Sequence, residues 1–144
     1  MPRVSRRLTI AAPPERLWEV VGDAHHLPRW WPGVERVEGV APDRFTQVRY
    51  TRKRRPVRVD FLITASEPPH RQVWEQELAG TPFAGILSES VIEVLIEPDE
   101  DGAAVTISQN QRLRGYSRTG GWMLRRATRR KLDQALEGLA QAAE

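Results

Sequence analysis

The chain has 144 residues, of which 40% are hydrophobic and 28% charged, the composition of a soluble globular protein. Its 22 basic and 19 acidic residues leave a formal net charge of only +3, which does not call for a nucleic-acid partner. The absence of cysteine excludes disulfides and thiolate chemistry. Because no apolar run approaches the ~20 residues of a membrane span and no signal peptide is evident, we expect one cytoplasmic domain over residues 1–144.

The N-terminal part predicts a strand followed by a short helical segment. Residues 3–11 alternate weakly between polar and apolar types, and Pro13-Pro14 ends this strand. Proline in a first helical turn removes only an N–H group that has no helical partner, so a short helix is expected as far as Gly22. Asp23 is expected to cap a second short helical turn, and Trp30-Trp31-Pro32-Gly33 closes the segment.

Strands then follow one another with short turns between them. The clearest alternation of apolar and polar residues runs from Val57 to Ser66. Proline and glycine residues interrupt the pattern often enough to separate six strands, predicted at residues 34–40, 44–54, 57–66, 72–79, 86–97 and 104–113. Consecutive strands with helices only near the chain ends predict an α+β fold with an antiparallel sheet.

Residues 119–144 predict a long terminal helix with one apolar face. The residues of this face recur in steps of three and four, at Leu124, Thr128, Leu132, Ala135, Leu136, Leu139 and Ala143. A helix cannot bury such a stripe by itself, so we expect the sheet to cover it.

The first helical segment resembles that of a known superfamily. The residues that carry the resemblance are Ile10-Ala11-Ala12-Pro13-Pro14-Glu15-Arg16-Leu17-Trp18-Glu19-Val20-Val21, Asp23 and Leu27-Pro28-Arg29-Trp30-Trp31-Pro32. The order of predicted elements also matches over essentially the whole chain. The superfamily is the START-like group called SRPBCC, and the chain resembles its polyketide cyclase/dehydrase-type branch.

This resemblance implies a helix-grip fold, in which a curved antiparallel sheet of about seven strands wraps around the long C-terminal helix and leaves a cavity. Two short helices follow the first strand in this fold. Members of the superfamily include aromatase/cyclases, lipid carriers, plant hormone receptors and chaperone activators. They share no catalytic motif, so the resemblance implies no catalytic residue here.

Polar residues interrupt the predicted inward faces of three strands. In the last strand, for example, Gln109 and Gln111 continue the phase of Ile107. The residues that share a phase with apolar neighbours in this way are Glu75, Glu77, Ser88, Ser90, Gln109 and Gln111. Because buried polar groups without partners cost about 1–3 kcal/mol each, they indicate a polar cavity at one end of the sheet. The alternative is that bulges reverse the phase and these residues face water.

Aromatic residues are the second group of candidate ligand-binding residues. The candidates are Trp30, Trp31, Phe45, Tyr50, Phe61, Trp74, Phe83 and Trp122. Most small-molecule sites have apolar walls with a few polar groups, although any single aromatic residue can equally belong to the core. Trp30, Trp31, Phe83 and Trp122 lie in breaks between elements, where we expect them near the cavity mouth.

The sequence predicts neither a cofactor nor a metal site. His25, His26 and His70 are the only histidines, and adjacent His25 and His26 point in different directions. Surface or capping roles are therefore expected for them. Two basic clusters remain, residues 52–55 and residues 125–131, and a solvated face is the expected role of the second.

Three functions stay open at this point. The leading hypothesis is binding of a small hydrophobic ligand, lipid-like or polyketide-like, between the sheet and the terminal helix. The second is a cyclase or aromatase that uses Glu75 or Glu77 as a pocket acid or base, because burial would raise a carboxyl pKa into a useful range. The third is a protein or RNA interaction module that uses Arg125, Arg126, Arg129 and Arg130. The sequence leaves the oligomeric state open.

Overall fold

The computed structural model describes residues 3–114 and 121–144. Its strands are β1 (Arg3–Ile10), β2 (Arg36–Ala41), β3 (Arg44–Tyr50), β4 (Pro56–Glu67), β5 (Arg71–Gln76), β6 (Leu87–Asp99) and β7 (Gly102–Leu113). They form one curved, seven-stranded antiparallel sheet in the order β1-β7-β6-β5-β4-β3-β2. Every strand from β2 to β7 pairs with its neighbour in sequence, and β1 closes the sheet against β7. The predicted fold class is confirmed.

The helices are α1 (Pro14–Val21), α2 (Leu27–Trp30) and α3 (Gly121–Ala142), with 3₁₀ turns at Ala24–His26 and Pro82–Gly85. The second predicted helical turn therefore consists of a 3₁₀ turn that runs directly into α2. Asp23 caps it, because its Oδ1 accepts a hydrogen bond of 3.0 Å from the His25 backbone N–H. No helix within the described residues is long and apolar enough to span a membrane.

Helix α3 packs its apolar stripe against the sheet and the two N-terminal helices. Its buried residues are Thr128, Leu132, Ala135, Leu136, Leu139 and Ala142. The helix contacts β1, β7, α1 and α2. Gly138 permits the contact with α2, because a Cβ atom there would lie 2.5 Å from the Trp30 carbonyl oxygen. The predicted stripe is confirmed except at Leu124, which is only half-buried, and the predicted first residues 119 and 120 lie outside the described residues.

Two predicted strands end earlier than their sequence pattern indicated. Strand β3 ends at Tyr50 because residues 51–55 form the connecting turn. In this turn the Thr51 N–H donates a hydrogen bond of 3.0 Å to the Arg55 carbonyl, and Arg54 adopts a left-handed backbone conformation with φ 58°. Strand β5 ends at Gln76, after which the chain leads into the 3₁₀ turn at Pro82–Gly85. This 3₁₀ turn then packs against β6.

Candidate functional site

A cavity of about 320 Å³ lies between the concave face of the sheet and α3. Its apolar wall comes from strands β4 and β6, the 3₁₀ turn and the α2–β2 corner, and consists of Val57, Val59, Phe61, Leu87, Ile92, Phe83 and Trp31. Its polar wall consists of Gln47, Gln76, Gln109, Gln111, Arg49 and Lys131. Tyr50 and Thr51, both exposed, also line the cavity, so it opens to solvent at the β3–β4 turn.

An aromatic cluster supports the base of the cavity. The Phe45 and Phe61 rings stack at 5.3 Å between centroids, and the Trp74 ring lies 5.4 Å from Phe45 and 5.3 Å from Trp31. Trp30 packs edge-on against Trp31 at 5.4 Å. Such offset and edge-to-face contacts are the favourable aromatic geometries. Trp31 and Phe61 are the members of this cluster that reach the cavity surface.

Arg49 lies on the polar wall and is held by neutral acceptors. Its Nε and Nη2 donate to the Gln47 Oε1 at 3.3 and 3.0 Å, and its Nη1 donates to the Pro32 carbonyl at 3.1 Å. Gly33 makes room for this arrangement, since a Cβ atom at that position would lie 2.6 Å from Nη1. Burial lowers the pKa of the Arg49 guanidinium from its usual value. The predicted turn at Trp30-Trp31-Pro32-Gly33 thus positions a cavity arginine.

Lys131 enters the same wall from α3. It is half-buried, and its Nζ lies 5.9 Å from the centroid of the Trp31 ring, within reach of a cation–π interaction. Burial and, to a smaller extent, the nearby positive charge of Arg49 together lower the pKa of the Lys131 amine to about 8. The cavity therefore holds two cationic side chains on one wall.

Several buried polar atoms of the inner face have no hydrogen-bond partner within the described part of the protein. They include Gln47 Nε2, Gln109 Oε1 and Ser90 Oγ. Gln111 instead accepts a hydrogen bond of 3.3 Å from the Thr128 hydroxyl, which ties β7 to α3. The glutamines of this wall consequently offer both donors and acceptors to a bound molecule.

The structure brings six of the fourteen predicted site residues to the cavity surface. These are Trp31, Tyr50, Phe61, Phe83, Gln109 and Gln111. Phe45 and Trp74 are fully buried in the aromatic cluster behind them, and Ser90 is buried in β6 without lining the cavity. The alternation in the sequence correctly predicted which face of β7 points inward. It did not distinguish residues that line the cavity from residues, such as Phe45 and Trp74, that are buried behind its wall.

Two aromatic residues expected at the cavity mouth lie elsewhere. Trp30 is only 3% exposed and belongs to the core, because α3 packs over it at Gly138. Trp122 is 60% exposed and lines a shallow groove on α3 with Met123, Arg126 and Arg130. The expectation that breaks between elements place aromatic residues at the mouth is wrong for both.

The inward orientation predicted for Glu75, Glu77 and Ser88 is also wrong, since all three are exposed. In β5 the inward residue is Trp74, and Val73 is buried on the opposite face, where it lies in a depression with Arg71 and Glu93. In β6 an irregularity between Leu87 and Glu89 shifts the register, so Leu87 and Ser90 both face inward. No carboxylate lines the cavity among the described residues.

Sequence reasoning missed Gln47, Arg49 and Lys131. The alternation of β3 contained a signal, because Phe45, Gln47 and Arg49 share one phase. Lys131 belongs to the basic cluster that the sequence predicts to be solvated, although it directly precedes Leu132 of the buried stripe. An arginine and a lysine are ordinarily surface residues, so the pattern alone did not distinguish them from their exposed neighbours.

The remaining charged clusters lie on the outer surface. Residues 52–55 are exposed in the β3–β4 turn, and Arg125, Arg126, Arg129 and Arg130 are exposed on α3. Asp133 pairs with Arg6 at 2.8 Å. His25 lies 2.8 Å from the Asp23 carboxylate, and within the described ranges no group of three metal-ligating side chains converges.

These features define a helix-grip protein with a partly apolar internal cavity. The whole chain, residues 1–144, matches the model of a family described as polyketide cyclase / dehydrase and lipid transport. The protein therefore belongs to that family, as its first helical segment predicted. No significant sequence match was found among curated proteins.

Solved structures confirm the fold. The di-domain ARO/CYC BexL from the BE-7585A biosynthetic pathway superposes with a TM-score of 0.79 at 15% identity, over 99% of this chain and 50% of BexL. The chain thus spans about half the length of that protein. MLL2253 from Mesorhizobium loti matches at 21% identity and a TM-score of 0.70, over 96% of this chain and 94% of MLL2253. SA2116 from Staphylococcus aureus, described as of unknown function, matches at 11% identity and a TM-score of 0.79, over 98% of this chain and 92% of SA2116.

Proposed function

We propose that the protein binds a small hydrophobic ligand, lipid-like or polyketide-like, in the cavity between the sheet and α3. The observation that carries this proposal is the cavity itself, with its apolar wall and a few polar groups. Its volume of about 320 Å³ falls at the lower end of the ~300–1,000 Å³ of small-molecule sites. The family description, which includes lipid transport, supports the proposal, and a cytoplasmic location stays a prediction from the sequence.

The test compares ligand uptake by the wild-type protein with uptake by a variant whose cavity is filled. Val57 is half-buried in the cavity wall, where it is the cross-strand partner of Arg49, so Val57→Trp places an indole in the space a ligand would occupy. Thr64→Trp is the matched control, because Thr64 is exposed on the same strand. Gln76→Trp, on neighbouring β5, is a second cavity-filling variant.

The assay is native mass spectrometry after incubation with a panel of lipids and aromatic polyketides, with circular dichroism to verify folding. We expect stoichiometric complexes for the wild type and Thr64→Trp, and loss of these complexes for folded Val57→Trp and Gln76→Trp. If no compound binds the wild type, or if the cavity-filling variants bind as well as the control, the proposal is wrong.

A cyclase or aromatase activity in the same cavity is a second candidate function. Glu75 and Glu77, the carboxylates that the sequence suggests for it, are exposed and do not line the cavity. Lys131 favours the candidate instead, because an amine with a pKa of about 8 inside a cavity can exchange protons near neutral pH. A substrate found in the screen should then be turned over by the wild type and bound but not converted by Lys131→Met. Full turnover by that variant would exclude Lys131 as the proton-transfer group.

A further inference from the structure

Among the described residues, the two cations of the cavity have no carboxylate partner. Neither Arg49 nor Lys131 has a carboxylate within 4.0 Å in the described ranges, whereas surface arginines such as Arg58 and Arg71 are paired with glutamates. Residues 1–2 and 115–120, which lie outside the described ranges, contain no Asp or Glu. Buried charges are ordinarily paired, because an uncompensated charge in a low-dielectric site is costly. The chain therefore maintains two positive charges in the cavity at a cost in stability.

The guanidinium of Arg49 is oriented but not neutralised. Gln47 and Pro32 hold it through neutral oxygen atoms, as described above. Both terminal nitrogens of a guanidinium carry two N–H groups, so each of them keeps a donor beyond these bonds. A planar arginine fixed in this way is suited to bind the paired oxygens of a carboxylate.

Gln47 adds a neutral donor beside these cations. Its side chain is only 1% exposed, and its Nε2 has no hydrogen-bond partner in the described part of the chain. The orientation of the amide is determined by Arg49, because Oε1 accepts the two guanidinium N–H groups and Nε2 must point the other way. Gln47 and Arg49 are neighbours on the inward phase of β3, and Lys131 of α3 lies on the same wall of the cavity.

Apart from the two cations, the cavity is lined by apolar side chains and by neutral polar ones such as Gln109 and Gln111. Val59, Phe61, Ile92 and Phe83 belong to the apolar wall. A molecule that satisfies both walls has an apolar body and a single anionic oxygen group at one end. A neutral hydrocarbon would leave the two cations and Gln47 Nε2 uncompensated.

We propose that the cavity selects amphipathic carboxylates, whose carboxylate binds Arg49, Lys131 and Gln47 while the hydrophobic body packs against Phe61 and Ile92. This inference deepens the proposed function and rests on it. It names the ligand class that the hydrophobic cavity prefers.

The charged groups that face Lys131 decide how binding depends on pH. Arg49 and Tyr50 of β3 are the other ionisable residues that line the cavity, and Arg130 and Asp133 flank Lys131 on α3, where Asp133 is paired with Arg6. A bound carboxylate favours the protonated amine and raises its pKa from about 8 toward the usual value. Carboxylate binding is therefore strongest below pH 8 and weakens as the pH rises above it.

The experiment uses two matched pairs of probes, 2-naphthoate with 2-naphthamide and decanoate with decan-1-ol, in isothermal titration calorimetry from pH 6.5 to 9.5. We expect each carboxylate to bind the wild type about ten- to a hundredfold more tightly than its neutral partner. Lys131→Met should remove most of this preference and its pH dependence while neutral probes bind as well as before. Arg49→Gln should lower carboxylate affinity similarly, and Lys53→Met, at an exposed turn residue, should change nothing.

The possible outcomes separate this inference from the proposed function. If neutral and charged partners bind equally, or if Lys131→Met and Arg49→Gln both keep the preference, the inference is wrong while the cavity can still bind hydrophobic ligands. If none of the four probes binds, the inference is also wrong. The proposed function is judged independently, by the loss of ligand from the Val57→Trp variant in the broader screen.

Discussion

Replacing Lys131 by Met should stabilise the protein at neutral pH. The cavity lowers the pKa of this amine from 10.5 to about 8. At about 1.4 kcal/mol for each tenfold change in the acid dissociation constant, the lowering corresponds to about 3 kcal/mol. Because the side chain is half-buried and can relax toward solvent, we expect Lys131→Met to raise the free energy of unfolding by about 2 kcal/mol at pH 7.

The pH dependence of this gain has a definite sign. Below pH 8 the amine is protonated in both states, and the folded protein bears the full cost of burying the charge. Between pH 8 and 10.5 the folded state loses its proton while the unfolded state keeps it, so the cost decreases. The stability advantage of Lys131→Met over the wild type should therefore be largest below pH 8 and should disappear near pH 10.5.

Urea denaturation of both proteins at pH 7, 8.5 and 10 measures this advantage directly, and all groups other than Lys131 cancel in the difference. Lys53→Met is the control, since Lys53 is the only other lysine and is exposed. A Lys131→Met protein that is less stable than the wild type at pH 7, or a difference that does not change with pH, would refute the reasoning about the cavity charge.

Three further predictions concern the packing and the outer surface. Gly138→Ala should destabilise the protein by about 1–3 kcal/mol in thermal unfolding, because a Cβ atom would lie 2.5 Å from the Trp30 carbonyl; higher stability from improved helix propensity would contradict the packing. Trp74→Ala should cost about 3–5 kcal/mol, whereas Trp122→Ala, at a 60% exposed residue, should change stability by less than about 0.5 kcal/mol, and equal effects would contradict the assigned core. A variant with four Arg→Gln substitutions on α3 should retain the lysate partners of the wild type at low salt, and their loss would instead support an interaction surface at Arg125, Arg126, Arg129 and Arg130.

Periodicity predicted the parts of the fold that bury one continuous face. The stripe of α3 from Thr128 to Leu139 and the alternation of β4 both follow from such a face. Their patterns are long enough that single irregular residues do not change the assignment. The resemblance of the first helical segment predicted the family, and the family in turn implied a curved sheet and a cavity.

Alternation along the sequence did not predict which side chains face inward where the sheet departs from a regular pattern. Because of the register shift between Leu87 and Glu89, Leu87 faces inward and Ser88 faces outward, the reverse of what strict alternation predicts. Nothing in the local sequence marks that irregularity. In β5, Val73 is buried on the outer face, so an apolar residue there did not identify the inner one. When both faces of a central strand are buried, apolar residues occur on both faces, so the alternation of apolar and polar residues no longer identifies the inner face.

The cationic wall was not predicted because it depends on contacts between distant segments. Arg49 becomes a cavity residue through the Pro32 carbonyl and the space left at Gly33. Lys131 becomes one because α3 crosses the sheet beside Trp31. Neither contact is encoded in local spacing, so both residues had the sequence signature of an ordinary surface charge.

The most direct test of the cavity as the binding site uses the side-chain indole N–H signals of the five tryptophans in a ¹⁵N-labelled sample titrated with decanoate. Trp31 lines the cavity, and Trp122 lies on the outer groove of α3. We predict that the Trp31 signal shifts with ligand concentration while the Trp122 signal does not. A shift at Trp122 with Trp31 unchanged would place the ligand on the outside of α3 and contradict the account.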